Sequence, residues 1–124
     1  MIYGIGIDSF EPKRIEIKIS RYEGLKEDIF TDKEIEYCES KKNKYLHYAV
    51  RFSAKEAFFK ALGTGWRYGM RFCEIEIEND TLGKPVMVFH GKTKEMILEK
   101  EITNTYVSLS HTKSMVISVV ILEK

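Results

Sequence analysis

A few side chains in this sequence have the types and surroundings to do chemistry on a phosphate. Asp8 closes the apolar, glycine-punctuated run Gly4-Ile5-Gly6-Ile7, which places its carboxylate at the end of a strand. Glu56 lies within Arg51-Phe52-Ser53-Ala54-Lys55-Glu56-Ala57, inside a helix and next to its apolar stripe. Two protein carboxylates, completed by waters and substrate phosphates, are the usual way a protein holds Mg2+. Lys60 follows Glu56 by four residues, where it can pair with that carboxylate. His111, after Ser108-Leu109-Ser110, can bond a phosphate oxygen or move a proton near neutral pH. Gly63-Thr64-Gly65 ends the helix that carries Glu56. That is the wrong helix end for dipole-assisted anion binding, so Lys60 and Arg51 would have to supply the positive charge. Each feature also has an ordinary use: Asp8 as a cap or turn residue, Glu56 and Lys60 as a surface ion pair, Gly63 as a helix stop, His111 as a structural histidine. They carry weight only as a set.

The elements that would position this set follow from periodicity and caps. Ile2–Ile7 reads as a short buried strand. Beyond it, Ile15, Ile17 and Ile19 alternate like a strand, yet Ile15, Ile19 and Tyr22 also fall at i, i+4, i+7. Pro12 suits a first helical turn and Ser9 or Asp8 could cap it, so a helix is preferred, with Arg14, Lys18 and Arg21 on a neighbouring face. Thr31 with Glu34 makes a capping box that opens a helix over Asp32–Glu39. The longest helical pattern runs from Tyr45 to Leu62, with Leu46, Val50, Ala54, Ala57 and Ala61 as its apolar stripe and Gly63 as its stop. Cys73–Glu78 alternates, setting Cys73, Ile75 and Ile77 against Glu74, Glu76 and Glu78. After the turn-rich Asn79–Lys84, Pro85–Phe89 resumes as a strand, and Lys92–Lys100 reads as a further helix. Tyr106–Ser110 and Met115–Leu122 form a hairpin with His111 at its mouth. This order predicts one α+β domain over residues 1–124, an antiparallel sheet packed with one long and several short helices.

Composition bounds the function class. The chain has 124 residues, 44% hydrophobic and 31% charged, with a formal net charge of +1. Those proportions exclude collagen-like, low-complexity and wholly disordered chains. The most apolar stretch, Met115–Leu122, is far short of the ~20 residues a membrane helix needs. Met1–Asp8 lacks the basic start and cleavage site of a secretory leader, and Cys38 and Cys73 make neither a zinc spacing nor a disulfide framework. A cytoplasmic protein that binds neither membrane nor nucleic acid is expected. Charge is nonetheless uneven: Lys13, Arg14, Lys18 and Arg21 cluster, as do Lys41, Lys42 and Lys44. Such patches suit a local acidic partner better than a long polyanion.

Taken together, the segments resemble the holo-[acyl-carrier-protein] synthases, the short-chain 4′-phosphopantetheinyl transferases. Three blocks carry the likeness: Gly4-Ile5-Gly6-Ile7-Asp8 with Glu11 and Arg14-Ile15; Arg51–Ala57 leading through Lys60-Ala61-Leu62-Gly63-Thr64-Gly65; and Ser108-Leu109-Ser110-His111-Thr112. Weaker matches lie between them: Phe30-Thr31 with Glu34, Ile75-Glu76-Ile77, Gly83-Lys84-Pro85 and Val119-Val120-Ile121-Leu122. The resemblance implies the family's α+β fold and compact homotrimers with active sites at subunit interfaces. It implies Mg2+-dependent transfer of 4′-phosphopantetheine from coenzyme A to a serine of an apo acyl carrier protein, releasing adenosine 3′,5′-bisphosphate. On that resemblance Asp8 and Glu56 match the magnesium ligands, and Lys60 a lysine near the phosphates. Arg51, Gly63, Thr64, Gly65, Pro85, His111 and Thr112 match positions lining the coenzyme A site, and Arg14 and Arg21 match basic positions that meet the carrier, with Lys18 on their stripe. Glu56, Lys60 and His111 are the expected catalytic groups. The serine proton goes first to Glu56, acting through water, with Glu34 the second choice.

Some positions depart from the family's pattern: Pro12 in the first helix, Gly24 where a basic residue is common, Ser53 for a usual alanine, Trp66-Arg67-Tyr68 after Gly65, and Met115-Val116. None removes an expected ligand. Two rival readings use the same residues: a magnesium-dependent phosphohydrolase of nucleotide pyrophosphates, and a catalytically silent trimer that holds coenzyme A or a carrier protein. Which pathway the carrier serves, fatty-acid synthesis or another, the residues leave open.

Overall fold

The computed structural model describes residues 1–65 and 67–124. The expected departure at Trp66 lies outside the described residues. The elements are β1 (Ile2–Phe10), α1 (Pro12–Arg21), α2 (Leu25–Ile29), α3 (Asp32–Glu39), α4 (Lys44–Leu62), β2 (Ile75–Asn79), β3 (Pro85–Phe89), α5 (Gly91–Glu99), β4 (Asn104–His111) and β5 (Val116–Glu123). The strands form two antiparallel sheets rather than one: a three-stranded sheet in the order β1-β5-β4, and the hairpin β2-β3. The α+β class stands.

The three-stranded sheet lies against α4, and the glycines of β1 explain how closely. Side chains alternate across a strand, so Gly4 and Gly6 face the helix while Ile5 and Ile7 face away. A Cβ on Gly4 would overlap the carbonyl oxygen of Ala61, and one on Gly6 that of Ala57. Only hydrogen fits between strand and helix there. Ala54, Ala57 and Ala61 are correspondingly small and buried. The buried strand expected from the sequence is therefore buried on its glycine face alone: Ile5 and Ile7 are 60% and 63% exposed.

β1 also runs further than expected, to Phe10. Asp8 and Ser9 are thus strand residues and not helix caps; α1 starts after Glu11, which caps without its side chain, with Pro12 in the first turn. At α3 the capping box forms as read: Thr31 Oγ1 accepts from Glu34 N at 3.3 Å, and Thr31 N donates to Glu34 Oε1 at 3.1 Å. The five-residue α2 was not anticipated, being too short for a periodic signal.

The burial of α4 far exceeds one stripe. Tyr48, Ala49 and Phe52 join a cluster with Phe10, Ile15 and Phe30, while Ala54, Phe58, Phe59 and Leu62 join another with Ile75, Val120 and Leu122. Covered on both sides, the helix even buries Lys55. Its Nζ donates to Glu34 Oε1 at 2.7 Å and to the carbonyls of Phe72 and Ile75, while Glu34 Oε2 accepts from Ile77 N at 3.0 Å. Burial pushes the Lys55 ammonium below its ordinary pKa, with Glu34 opposing that shift. This pair pins α3, α4 and the start of β2 to one another. In β2 the acidic face is not simply solvated: Glu76 is buried, accepting from Thr31 Oγ1 at 2.6 Å and lying 3.0 Å from His90 Nε2.

Gly6→Ala should destabilise the protein by about 3 kcal/mol or more, because the added methyl meets helix backbone that has no rotamer to yield. Thermal unfolding measures this; an unchanged melting temperature would refute the close approach.

Candidate active site

Asp8 sits near the end of β1, paired in register with Ser118 of β5. Its Oδ1 accepts from Lys60 Nζ at 3.1 Å and its Oδ2 from Ser53 Oγ at 2.9 Å. Lys60 Nζ also donates to the carbonyl of Ile7 at 3.1 Å. The expected i,i+4 pairing of Lys60 with Glu56 is therefore replaced by pairing with Asp8, which the closeness of β1 brings within reach. Glu56 lies on the same helix face, half-buried. Burial, and after it the charge of Asp8, push the Glu56 carboxyl above its ordinary pKa, while Lys60 and Lys18 oppose that rise. Asp8 and Glu56 are thus close enough to repel.

Among the described residues no group of three or more His, Cys, Asp or Glu gathers to hold a metal. The pair does fit a hard divalent cation that keeps several waters and takes further oxygens from a phosphate substrate. The mutual repulsion of the two carboxylates is what such a cation would relieve. A shallow cavity of about 300 Å³ opens here, lined by Ile7, Asp8, Ser9, Lys60 and Ile117.

Lys18 ties the basic face of α1 to this place, since its charge reaches Glu56. Arg14 and Arg21 are exposed on the same helix, Arg14 with its guanidinium 5.0 Å from the Phe10 ring centre. At the end of α4, Gly63 adopts the left-handed conformation with φ 85° and closes the helix on Phe59 O. Gly63, Thr64 and Gly65, with Arg67, line a second cavity of about 460 Å³.

The other expected residues lie elsewhere on the chain. Arg51, Pro85 and His111 line a third and larger cavity of about 720 Å³, joined there by Tyr37, His47 and Lys84. Arg51 is 4% exposed and stacks 4.3 Å from the Tyr37 ring centre. Its Nε is a buried polar atom with no hydrogen-bond partner among the described residues. Burial, then the charges of Arg51, Lys41 and His111, hold His47 below its ordinary pKa. Arg51 and Lys84 in the lining, with Lys41 nearby, favour an anionic ligand in this concavity. Thr112 lies in the β4–β5 turn, exposed, its N–H closing on Met115 O at 2.8 Å.

The structure thus brings together Asp8, Glu56, Lys60 and Lys18 in one place and Arg51, Pro85 and His111 in another. On a single chain it does not unite these groups in one cavity. Glu34, the second choice for a proton acceptor, is excluded by burial and by its bonds to Lys55, Ile77 and Thr31. Ser53, Tyr37, His47 and Lys84 were missed as site residues. Two of them carried a signal: Ser53 is three residues before Glu56 and seven before Lys60, and His47 is four before Arg51, spacings that share a helix face.

Residues 4–119 match the model of the 4′-phosphopantetheinyl transferase superfamily. A holo-[acyl-carrier-protein] synthase of Geotalea daltonii is 44% identical over 125 residues, spanning 100% of both chains. The crystal structure of the holo-[acyl-carrier-protein] synthase from Neisseria meningitidis superposes with a TM-score of 0.91 at 34% identity, over 100% of both chains. That of the Bacillus anthracis synthase, in complex with coenzyme A (3′,5′-ADP), superposes at 0.83 and 34% identity, covering 100% of this chain and 98% of that one.

Proposed function

The chain belongs to the 4′-phosphopantetheinyl transferase superfamily, among its holo-[acyl-carrier-protein] synthases, and we propose that Asp8, Glu56 and Lys60 are the centre of its transfer chemistry. The enzyme moves 4′-phosphopantetheine from coenzyme A to a serine of an apo acyl carrier protein in the cytoplasm. The serine oxygen bonds to the pantetheine-side phosphorus, the pyrophosphate bridge breaks, and adenosine 3′,5′-bisphosphate departs. The observation that carries this reading is the carboxylate pair with a lysine on Asp8, set beside the basic face of α1.

Asp8 and Glu56 would hold Mg2+, which when bound supplies positive charge to the pyrophosphate oxygens as negative charge grows on them. Glu56 accepts the proton of the attacking serine through water. Lys60, held over Asp8 and Ile7 O and half-exposed, offers its remaining donor to the departing phosphate. Arg51, His111 and their neighbours receive the nucleotide end of coenzyme A, the buried Arg51 guanidinium supplying positive charge beneath it. Pro85 borders that end, and Thr112 in the β4–β5 turn with Gly63, Thr64 and Gly65 lines further parts of the coenzyme A site. Arg14, Lys18 and Arg21 give the acidic carrier a landing surface that favours encounter.

These groups are split between separate cavities on one chain, and the outer face of the three-stranded sheet is apolar and uncovered, with Ile5, Ile7 and Ile117 exposed. Covering that face with further copies would join the Asp8 side of one subunit to the Arg51 side of its neighbour. The active form is a homotrimer with its sites between subunits.

Intact-mass spectrometry of an apo carrier incubated with coenzyme A and Mg2+ should show a phosphopantetheine-sized gain that EDTA abolishes. Asp8→Ala and Glu56→Ala should each lose at least ~10²-fold in kcat, in the range of removing one transition-state charge contact. Coenzyme A cleaved without carrier modification would instead identify a phosphohydrolase. In steady-state kinetics, Arg14→Glu should raise the carrier's KM about tenfold and leave that of coenzyme A unchanged; equal effects on both would remove the docking assignment. Sedimentation of the active preparation should give three times the chain mass, and a fully active monomer would overturn the shared site.

A further inference from the structure

Behind Asp8 stands a pair of hydroxyls that take no part in the proposed transfer chemistry. Ser53 Oγ on α4 is 2.9 Å from Asp8 Oδ2 and 2.7 Å from Ser118 Oγ on β5. Both serines are buried, at 0% and 1% exposure. Ser118 is the cross-strand partner of Asp8, so the strand pairing itself brings its hydroxyl to the place where α4 presents Ser53.

The direction of these bonds is set by proton counting. An ionised carboxylate only accepts, and a serine hydroxyl has one proton. Ser53 therefore gives its proton to Asp8 and accepts the proton of Ser118. The chain runs Ser118 O–H to Ser53 Oγ, then Ser53 O–H to Asp8 Oδ2. The carbonyl of Asp8, 3.3 Å from Ser53 Oγ, is the longer contact. Turning the Asp8 carboxylate away would leave Ser53 only the longer contact to the Asp8 carbonyl, a weaker bond in low-dielectric surroundings.

On the other oxygen Asp8 is held by Lys60, whose side chain is 54% exposed against 11% for Asp8. An ion pair open to water holds geometry weakly. The buried hydroxyl is the firmer restraint. It also leaves lone pairs free, since a carboxylate offers about four acceptor sites and Ser53 and Lys60 take two of them.

We propose that Ser53, backed by Ser118, is a positioning residue that fixes the Asp8 carboxylate in the orientation in which it serves as a cation ligand; this rests on the assignment of Asp8 to the metal site. The pair acts before any substrate arrives.

The test is Mn2+ binding to the full chain with coenzyme A present and no carrier, read as loss of the free Mn2+ electron paramagnetic resonance signal. Ser53→Ala should weaken Mn2+ binding about tenfold, as expected for losing one hydrogen bond to a charged group. Ser118→Ala should weaken it less, and the double variant no more than Ser53→Ala alone, because Ser118 acts only through Ser53. Melting temperatures run alongside, and a fall in stability with parental Mn2+ affinity would show a purely structural pair and overturn the proposal. Losses that simply add in the double variant would overturn the relay. Asp8→Ala separates the positioning role of Ser53 from the metal site itself. If it loses Mn2+ while Ser53→Ala keeps parental affinity, only the positioning role fails. If Asp8→Ala binds Mn2+ like the parent, the metal assignment itself fails and the proposal with it.

Discussion

Everything around the site depends on how near β1 can come to α4. A strand normally stands off a helix by the depth of its side chains. Here Gly4 and Gly6 put nothing but hydrogen against the carbonyls of Ala61 and Ala57. Glycine in a strand costs conformational entropy, and that cost is offset by the place it gives Asp8. From there the carboxylate reaches two side chains of the facing helix, Ser53 and Lys60, and lies within repelling range of Glu56. These three occupy i, i+3 and i+7, one helix face. A Cβ on either glycine would lift the strand and break up the set.

The same helix sends its other polar residues in different directions. Lys55 turns inward to Glu34 and the backbone of Phe72 and Ile75, locking α4 against α3 and β2. Arg51, a turn earlier, stacks on Tyr37 and keeps an unused donor. One helix thus supplies a face that meets Asp8, a structural ion pair and a buried cation. Burial of Lys55 is tolerable because every donor direction finds an oxygen; an unpaired ammonium there would be prohibitive.

In the proposed function the charges serve a ligand longer than either cavity. The negative pair lies at one place and the concavity with Arg51 and Lys84 at another, in separate cavities of a single chain. A pyrophosphate-linked nucleotide has matching chemistry: a bridge to be neutralised by a cation and a terminal phosphate to be held by basic groups. In the proposed assembly the exposed isoleucines of the outer sheet face supply the apolar contact that joins the two halves.

Local signals in the chain determined much of this. The capping box at Thr31 and Glu34, the proline opening α1, the length of α4 with its glycine stop, and the β4–β5 hairpin are all consequences of nearest neighbours and periodicity, and the structure has them. The family was legible too, because the spacing within each block is distinctive, and the same blocks named Asp8, Glu56, Lys60, Arg51 and His111 as candidates. What the tertiary structure alone decided is which of them meet. Lys60 belongs to Asp8, since the glycine strand brings a carboxylate closer than the one a helical turn away. Glu34 is removed from the chemistry because two distant segments bury it against Lys55. Ser53, unremarkable beside an alanine in one dimension, gains a partner on each of two strands from opposite ends of the chain. Periodicity along a chain reports the face a residue occupies; only packing between elements fixes what that face touches.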